Sequence, residues 1–105
     1  RRQRQMCIRD RSHEIFDFAE TIFDVLESRV VTLTKKTEDK GVRLTFPDMP
    51  YLIVWSKPEG DFVAVEPWGG LSTCSDEDDI LEHKRGCLVA KPGETVTRGF
   101  EIEIL

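Results

Sequence analysis

Apolar residues in this 105-residue chain come in short runs, and each run stops at a proline, a glycine or a charged turn. That spacing constrains the fold more than any other feature. Val31 and Leu33 alternate with Thr32 and Thr34. Lys36-Thr37-Glu38-Asp39-Lys40-Gly41 is a polar turn, and Val42, Leu44 and Phe46 then alternate with Arg43 and Thr45. A two-residue period on both sides of a Gly-ended turn predicts a hairpin. Pro47 and Pro50 mark the next turn. Tyr51-Leu52-Ile53-Val54-Trp55 is apolar on both faces, as in a strand covered on both sides. A turn at Lys57-Pro58-Glu59-Gly60-Asp61 leads into a strand over Phe62–Trp68. Residues 69–85 read as a long acidic loop with one helical turn near Ile80, and Gly86–Ala90 reads as a short strand. After the Lys91-Pro92-Gly93-Glu94 turn, Val96, Phe100, Ile102 and Ile104 face one way, opposite Glu101 and Glu103. Six short strands with Pro/Gly turns predict an all-β antiparallel sandwich. Before them, Ile15, Phe18, Ile22 and Leu26 recur at helical spacing and predict a short amphipathic helix or turn.

The first eleven residues belong to none of this. They hold five Arg and one acid, with no helix or strand period. They resemble the translated adapter that transposase-based sequencing libraries attach to DNA ends, and such scars are set aside before fold reasoning. The expected division is therefore a non-native segment at 1–11 and a natural domain at 12–105 whose true N-terminus lies upstream. Without residues 1–11 the chain keeps ten basic against nineteen acidic residues, and its net charge moves from −5 to −9. An acidic domain with no basic patch makes nucleic acid and anionic membranes poor partners. No apolar run approaches the ~18 residues of a membrane span. Cys74 and Cys87 lack C-x-x-C spacing, and His13 and His83 stand far apart. The thiols are expected to be free, in a cytoplasmic protein, with no metal site.

The run Phe62-Val63-Ala64-Val65-Glu66-Pro67-Trp68 carries the functional signal. It ends by delivering one carboxylate and an indole, followed by Gly69 and Gly70. Burying an unpaired carboxylate is costly, so Glu66 either meets water at a strand end or is used. Trp68 either stacks on a ligand or packs in the core. Trp55, on a strand apolar on both faces, is assigned to the core. Gly69 and Gly70 turn the chain away from the strand. Asp76, Glu77, Asp78 and Asp79 read as a solvated loop, with ligand contacts as the lesser reading.

Pro50-Tyr51-Leu52-Ile53-Val54-Trp55-Ser56-Lys57-Pro58, the Phe62–Trp68 run, Lys91-Pro92-Gly93-Glu94 and Phe100-Glu101-Ile102-Glu103-Ile104 occur in that order. Together they resemble the C-terminal third of aldose 1-epimerases, in the galactose mutarotase-like branch with a Glu-Pro-Trp signature. The resemblance runs from about Ile15 to Leu105. It implies a partial super-sandwich of antiparallel strands that binds a free monosaccharide in a cleft along one sheet. It makes Glu66 the general base, with Trp68 and Gly69 as candidate substrate-binding residues. The family's general acid is a His from an earlier part of the chain, and neither His13 nor His83 matches its motif. Leu71-Ser72-Thr73-Cys74 departs from the more polar stretch usual there. In mutarotation a base takes the anomeric hydroxyl proton while an acid protonates the ring oxygen, and the opened aldose recloses on its other face. Partly buried carboxylates suit such work. The resemblance implies an isomerase whose N-terminal part is needed for activity, the 12–105 piece being inactive alone. Two alternatives stay open: a non-catalytic carbohydrate-binding sandwich, and a small β-domain serving only as a folding partner.

Overall fold

The computed structural model describes Arg2–Gln3 and residues 21–105. The fold is all-β, built from two small sheets. Its strands are β1 (Arg2–Gln3), β2 (Thr21–Phe23), β3 (Val30–Thr34), β4 (Gly41–Thr45), β5 (Tyr51–Trp55), β6 (Ala64–Trp68) and β7 (Glu101–Ile104). The first sheet has the order β1-β2-β5-β6 and the second β3-β4-β7. Every pairing is antiparallel except that of β1 with β2.

The core lies between the sheets. Phe23 and Leu52 from the first sheet meet Leu44 from the second, and Phe46 closes the cluster just beyond β4. Leu52 and Phe46 are fully buried. Val31, Val54, Val65, Leu26 and Met49 pack around them. Register explains this set. Thr21 pairs with Val54, and Phe23 with Leu52. Val54 pairs with Val65, and Leu44 with both Val31 and Ile102. Successive strand residues point to opposite faces, so these pairs share the inner faces.

The predicted hairpin forms as expected, with β3 and β4 in register from Val30↔Thr45 to Thr34↔Gly41. Strand β5 is buried on both faces at Leu52 and Ile53, as its composition required. A 3₁₀ turn occupies Leu81–His83, where one helical turn was expected.

Four expectations need correction. Ile22 and Leu26 do not sit on a helix, because Thr21–Phe23 pairs edge-on with β5; Ile15 and Phe18 lie outside the described residues. A β-branched pair, Thr21-Ile22, beside a strongly apolar strand gains more from cross-strand packing than from helix formation. Gly86–Ala90 is not a strand. The Cys87 amide turns back to the Lys84 carbonyl at 2.9 Å, and Gly86 has a positive φ of 74°. Strand β6 starts at Ala64, leaving Phe62 outside it, and β7 starts at Glu101, leaving Val96 and Phe100 outside. Finally, Arg2–Gln3 pairs with β2 despite the missing period; backbone pairing on an open edge needs no side-chain pattern. The rest of the adapter-like segment lies outside the described residues.

Candidate functional site

Strand β6 places Glu66 opposite Ile53, Trp68 opposite Tyr51 and Ala64 opposite Trp55. All six residues therefore share the outer face of the first sheet, the one turned away from the core. Ile22 of β2 continues the Ile53–Glu66 row. The apolar neighbours leave Glu66 half-buried, a costly place for a carboxylate without partners.

Two indoles supply them. The Trp55 Nε1–H donates to Glu66 Oε1 at 2.6 Å, and the Trp68 Nε1–H donates to Glu66 Oε2 at 2.9 Å. Indole N–H is a donor only, and buried indoles need an acceptor. The three residues thus satisfy one another. Each carboxylate oxygen is fixed by one donor. An ionised carboxylate offers about four acceptor positions, so about two remain for a ligand hydroxyl.

The turn between β5 and β6 aims Trp55. Phe62 stands edge-on to the Trp55 ring, with centroids 5.4 Å apart and planes at 88°, a favourable aromatic geometry. Gly60 makes room for it, since a Cβ there would fall 2.7 Å from the Phe62 ring. The buried Ser56 hydroxyl donates to the Phe62 carbonyl at 2.5 Å and holds the turn closed.

Beyond β6 the chain passes through Gly69 and Gly70 into the 72–87 loop. Gly86 lies against Tyr51, the cross-strand partner of Trp68, and a Cβ there would meet the Tyr51 ring at 2.7 Å. The loop therefore borders the Tyr51–Trp68 end of the Glu66 face. Glu77 ties it together. Its carboxylate accepts from the Cys74 amide at 3.0 Å and the Arg85 amide at 3.5 Å, and Lys84 Nζ lies 3.7 Å away. The Cys74 amide above all holds the Glu77 carboxyl below its ordinary value, with help from the Arg85 amide and the two cations. Asp78 meets His83 Nδ1 at 2.7 Å, and that bond, then the Ile80 amide, likewise lowers its pKa.

Of the residues singled out from sequence, the structure brings Glu66 and Trp68 together. Gly69 follows them into the wall of a neighbouring depression that also includes Gly70 and Gly86. Trp55, assigned to the core, instead belongs to the Glu66 face. A signal for it existed: Trp55 and Ile53 share one strand parity and Leu52 the other, so the strand had to send its indole away from Leu52. Glu77 is a loop tie rather than a solvated acid. His83 stands on the exposed loop beside Asp78, while His13 lies outside the described residues. Cys74 and Cys87 are free thiols. Leu71, in the stretch expected from the resemblance to be more polar, is buried. Among the described residues no three metal-ligating side chains cluster, and no helix is long and apolar enough to cross a membrane.

The chain is similar to Protein LacX of Lactococcus lactis subsp. lactis, in both its plasmid and its chromosomal forms. Each is 39% identical over 97 residues, which cover 91% of this chain and 32% of the relative. The chain thus spans about a third of the length of these curated relatives. No family model and no solved structure matches it.

Proposed function

We propose that this chain is the C-terminal portion of a cytoplasmic aldose 1-epimerase-like isomerase that interconverts the α and β anomers of a free aldose. Glu66 is the general base. The observation that supports this reading is the convergence of two indole N–H groups on one half-buried carboxylate at the outer face of the first sheet. The indoles fix the carboxylate in one orientation and leave acceptor positions for the anomeric hydroxyl. Trp68 borders the sugar, and Gly69 lets the backbone pass close beside it. The relative's lac name points towards carbohydrate metabolism and supports the same class.

In this reading Glu66 takes the anomeric proton as a separate acid protonates the ring oxygen. The C1–O5 bond breaks, the aldehyde rotates, and closure reverses both transfers. No redox step or organic cofactor takes part. The acid is a His from the part of the protein preceding residue 12, so the 12–105 piece is inactive by itself. That same part covers the apolar face of the second sheet, and residues 1–11 do not belong to the natural protein.

The test is polarimetry of a fresh α-aldose with the full-length protein. The wild type speeds equilibration, and Glu66→Gln lowers kcat by ~10²–10⁴, the usual weight of one proton-transfer group. Equal turnover in the variant removes Glu66 as the base. A second reading, a non-catalytic carbohydrate-binding sandwich, is favoured by the site's make-up, since two indoles and a carboxylate suffice to hold a pyranose. It predicts saturable sugar binding with no faster equilibration.

A further inference from the structure

The second sheet ends in an open edge. Its order is β3-β4-β7, so among the described residues β7 has a neighbour on one side only. The Leu105 amide donates to the Gly41 carbonyl at 2.9 Å, and the same register sets Glu103 opposite Arg43 and Glu101 opposite Thr45. Alternate residues of an antiparallel strand bond to the same neighbour. Glu101, Glu103 and Leu105 therefore turn their backbone groups towards β4. Ile102 and Ile104 turn theirs to the free edge.

The side chains of the same two residues are bare as well. Ile102 is 60% and Ile104 79% exposed on the inner face. Beside them the two sheets part into a cleft lined by Leu33, Val42 and Ile102 on one side and by Val63 and Val65 on the other. Its wall is wholly aliphatic. Unpaired N–H and C=O groups next to exposed aliphatic side chains are a template for another strand.

The outer face of β7 selects the occupant. Arg43 meets Glu103 at 2.5 Å, whereas Glu101 makes no side-chain hydrogen bond or ion pair among the described residues. A second copy is a poor fit. Of the two antiparallel self-pairings that overlap most of β7, one centres on Ile102 and sets Glu101 of each copy against Glu103 of the other. The second centres on Glu103 and sets that residue against itself. Like charges directly opposite are destabilising, and opposite charges favourable. The edge thus fits a strand with Lys or Arg on its outer side and aliphatic residues on its inner side. Ample chain exists for it in the relatives, where the match covers 32% of the length and leaves about two thirds outside.

We propose that the free edge of β7 and the aliphatic cleft beside it receive a β-strand from the part of the protein that precedes this chain. Its basic residues lie beside Glu101 and Glu103, and its aliphatic residues beside Ile102 and Ile104. The inference rests on the reading of the chain as a C-terminal portion, and it is independent of the role of Glu66.

The experiment is residue-resolved amide exchange of the full-length protein, with photo-crosslinking from position 101. Glu101 is exposed on the outer face, so Glu101→p-benzoylphenylalanine spares the core. The expected result is that the Ile102 and Ile104 amides are protected as strongly as those of Glu103 and Leu105, and that tenfold dilution leaves this unchanged. Irradiation joins position 101 to a preceding segment of the same chain that alternates basic and aliphatic residues. Glu101→Lys lowers protection at Ile102 and Ile104 at least tenfold more than Glu101→Gln does, while the β5–β6 amides keep theirs. Free exchange at Ile102 and Ile104 beside a protected Glu103 overturns the proposal, because the edge is then open. Protection that falls on dilution, or a crosslink between two copies, overturns it in favour of self-association. A crosslink to a segment without Lys or Arg overturns it too. A coding sequence that begins at this chain overturns the C-terminal reading as well, whereas an open edge in a longer protein overturns the docked strand alone.

Discussion

The two sheets carry the same alternating pattern and meet very different fates. In the first sheet Leu52 and Ile53 are buried on opposite faces of one strand. In the second, Ile102 and Ile104 share the inner face with Leu44 and Val42 through their register, yet they are 60% and 79% exposed. Alternation therefore decides which way a side chain points, and only a neighbouring layer decides whether it is covered. The candidate face around Glu66 follows the same rule. Glu66 and its two indoles stand on the outer side of the better-packed sheet, where β5 and the 72–87 loop support them.

Truncation in the well-covered sheet gives the sharpest contrast. Leu52→Ala removes a fully buried side chain and is expected to destabilise by ~2–5 kcal/mol in a denaturant melt. A cost below ~1 kcal/mol would mean that Leu52 is not at the centre of the core. Ile104→Ala breaks or sharpens the comparison from the other side. If the rest of the protein covers the second sheet, as proposed, its cost in the full-length protein is ~2 kcal/mol or more. A change within the ~0.5 kcal/mol typical of surface substitutions leaves that face bare.

Trp55→Phe probes the site with less damage. The substitution keeps an aromatic ring beside Phe62, but removes the N–H donated to Glu66 together with part of the indole. The loss of one such bond is worth ~1–1.5 kcal/mol, about tenfold in turnover. Unchanged kinetics together with unchanged stability would show that the indole does not position the carboxylate.

The smallest expected effect concerns the loop that borders the Glu66 face. Glu77 and Asp78 titrate below their ordinary values of 4.5 and 3.8 in the folded chain. Depressed folded pKa values stabilise the loop above those ordinary values, and the gain is lost as pH falls through the folded ones. Amide exchange at Cys74, Ile80 and Arg85, normalised for intrinsic rate, is expected to lose protection below about pH 4 before the β5–β6 pairing opens. Simultaneous loss in both places would make loop and sheet one cooperative unit.

Much of this was legible in the sequence. The β3–β4 hairpin, β5, the position of Glu66 on β6 and the alternation of β7 follow from two-residue periods between Pro/Gly turns. The failures have physical causes. Ile22 matched a helical period because a three-residue strand is too short to show its own, and pairing with β5 decided its state. Leu88-Val89 looked like a strand, but Gly86 bends the chain over Tyr51 and leaves both residues exposed. Trp55 was given to the core because composition cannot separate a strand buried by two layers from one whose outer face holds a polar group. The indole's hydrogen bond to Glu66 depends on β5–β6 register, which is a property of the pair.

One titration tests the central claim most directly: sugar affinity and turnover measured together for wild type and Glu66→Gln in the full-length protein. The account predicts that the variant binds the aldose within a few-fold of wild type while kcat falls by ~10²–10⁴. Turnover at the wild-type rate in Glu66→Gln would contradict it.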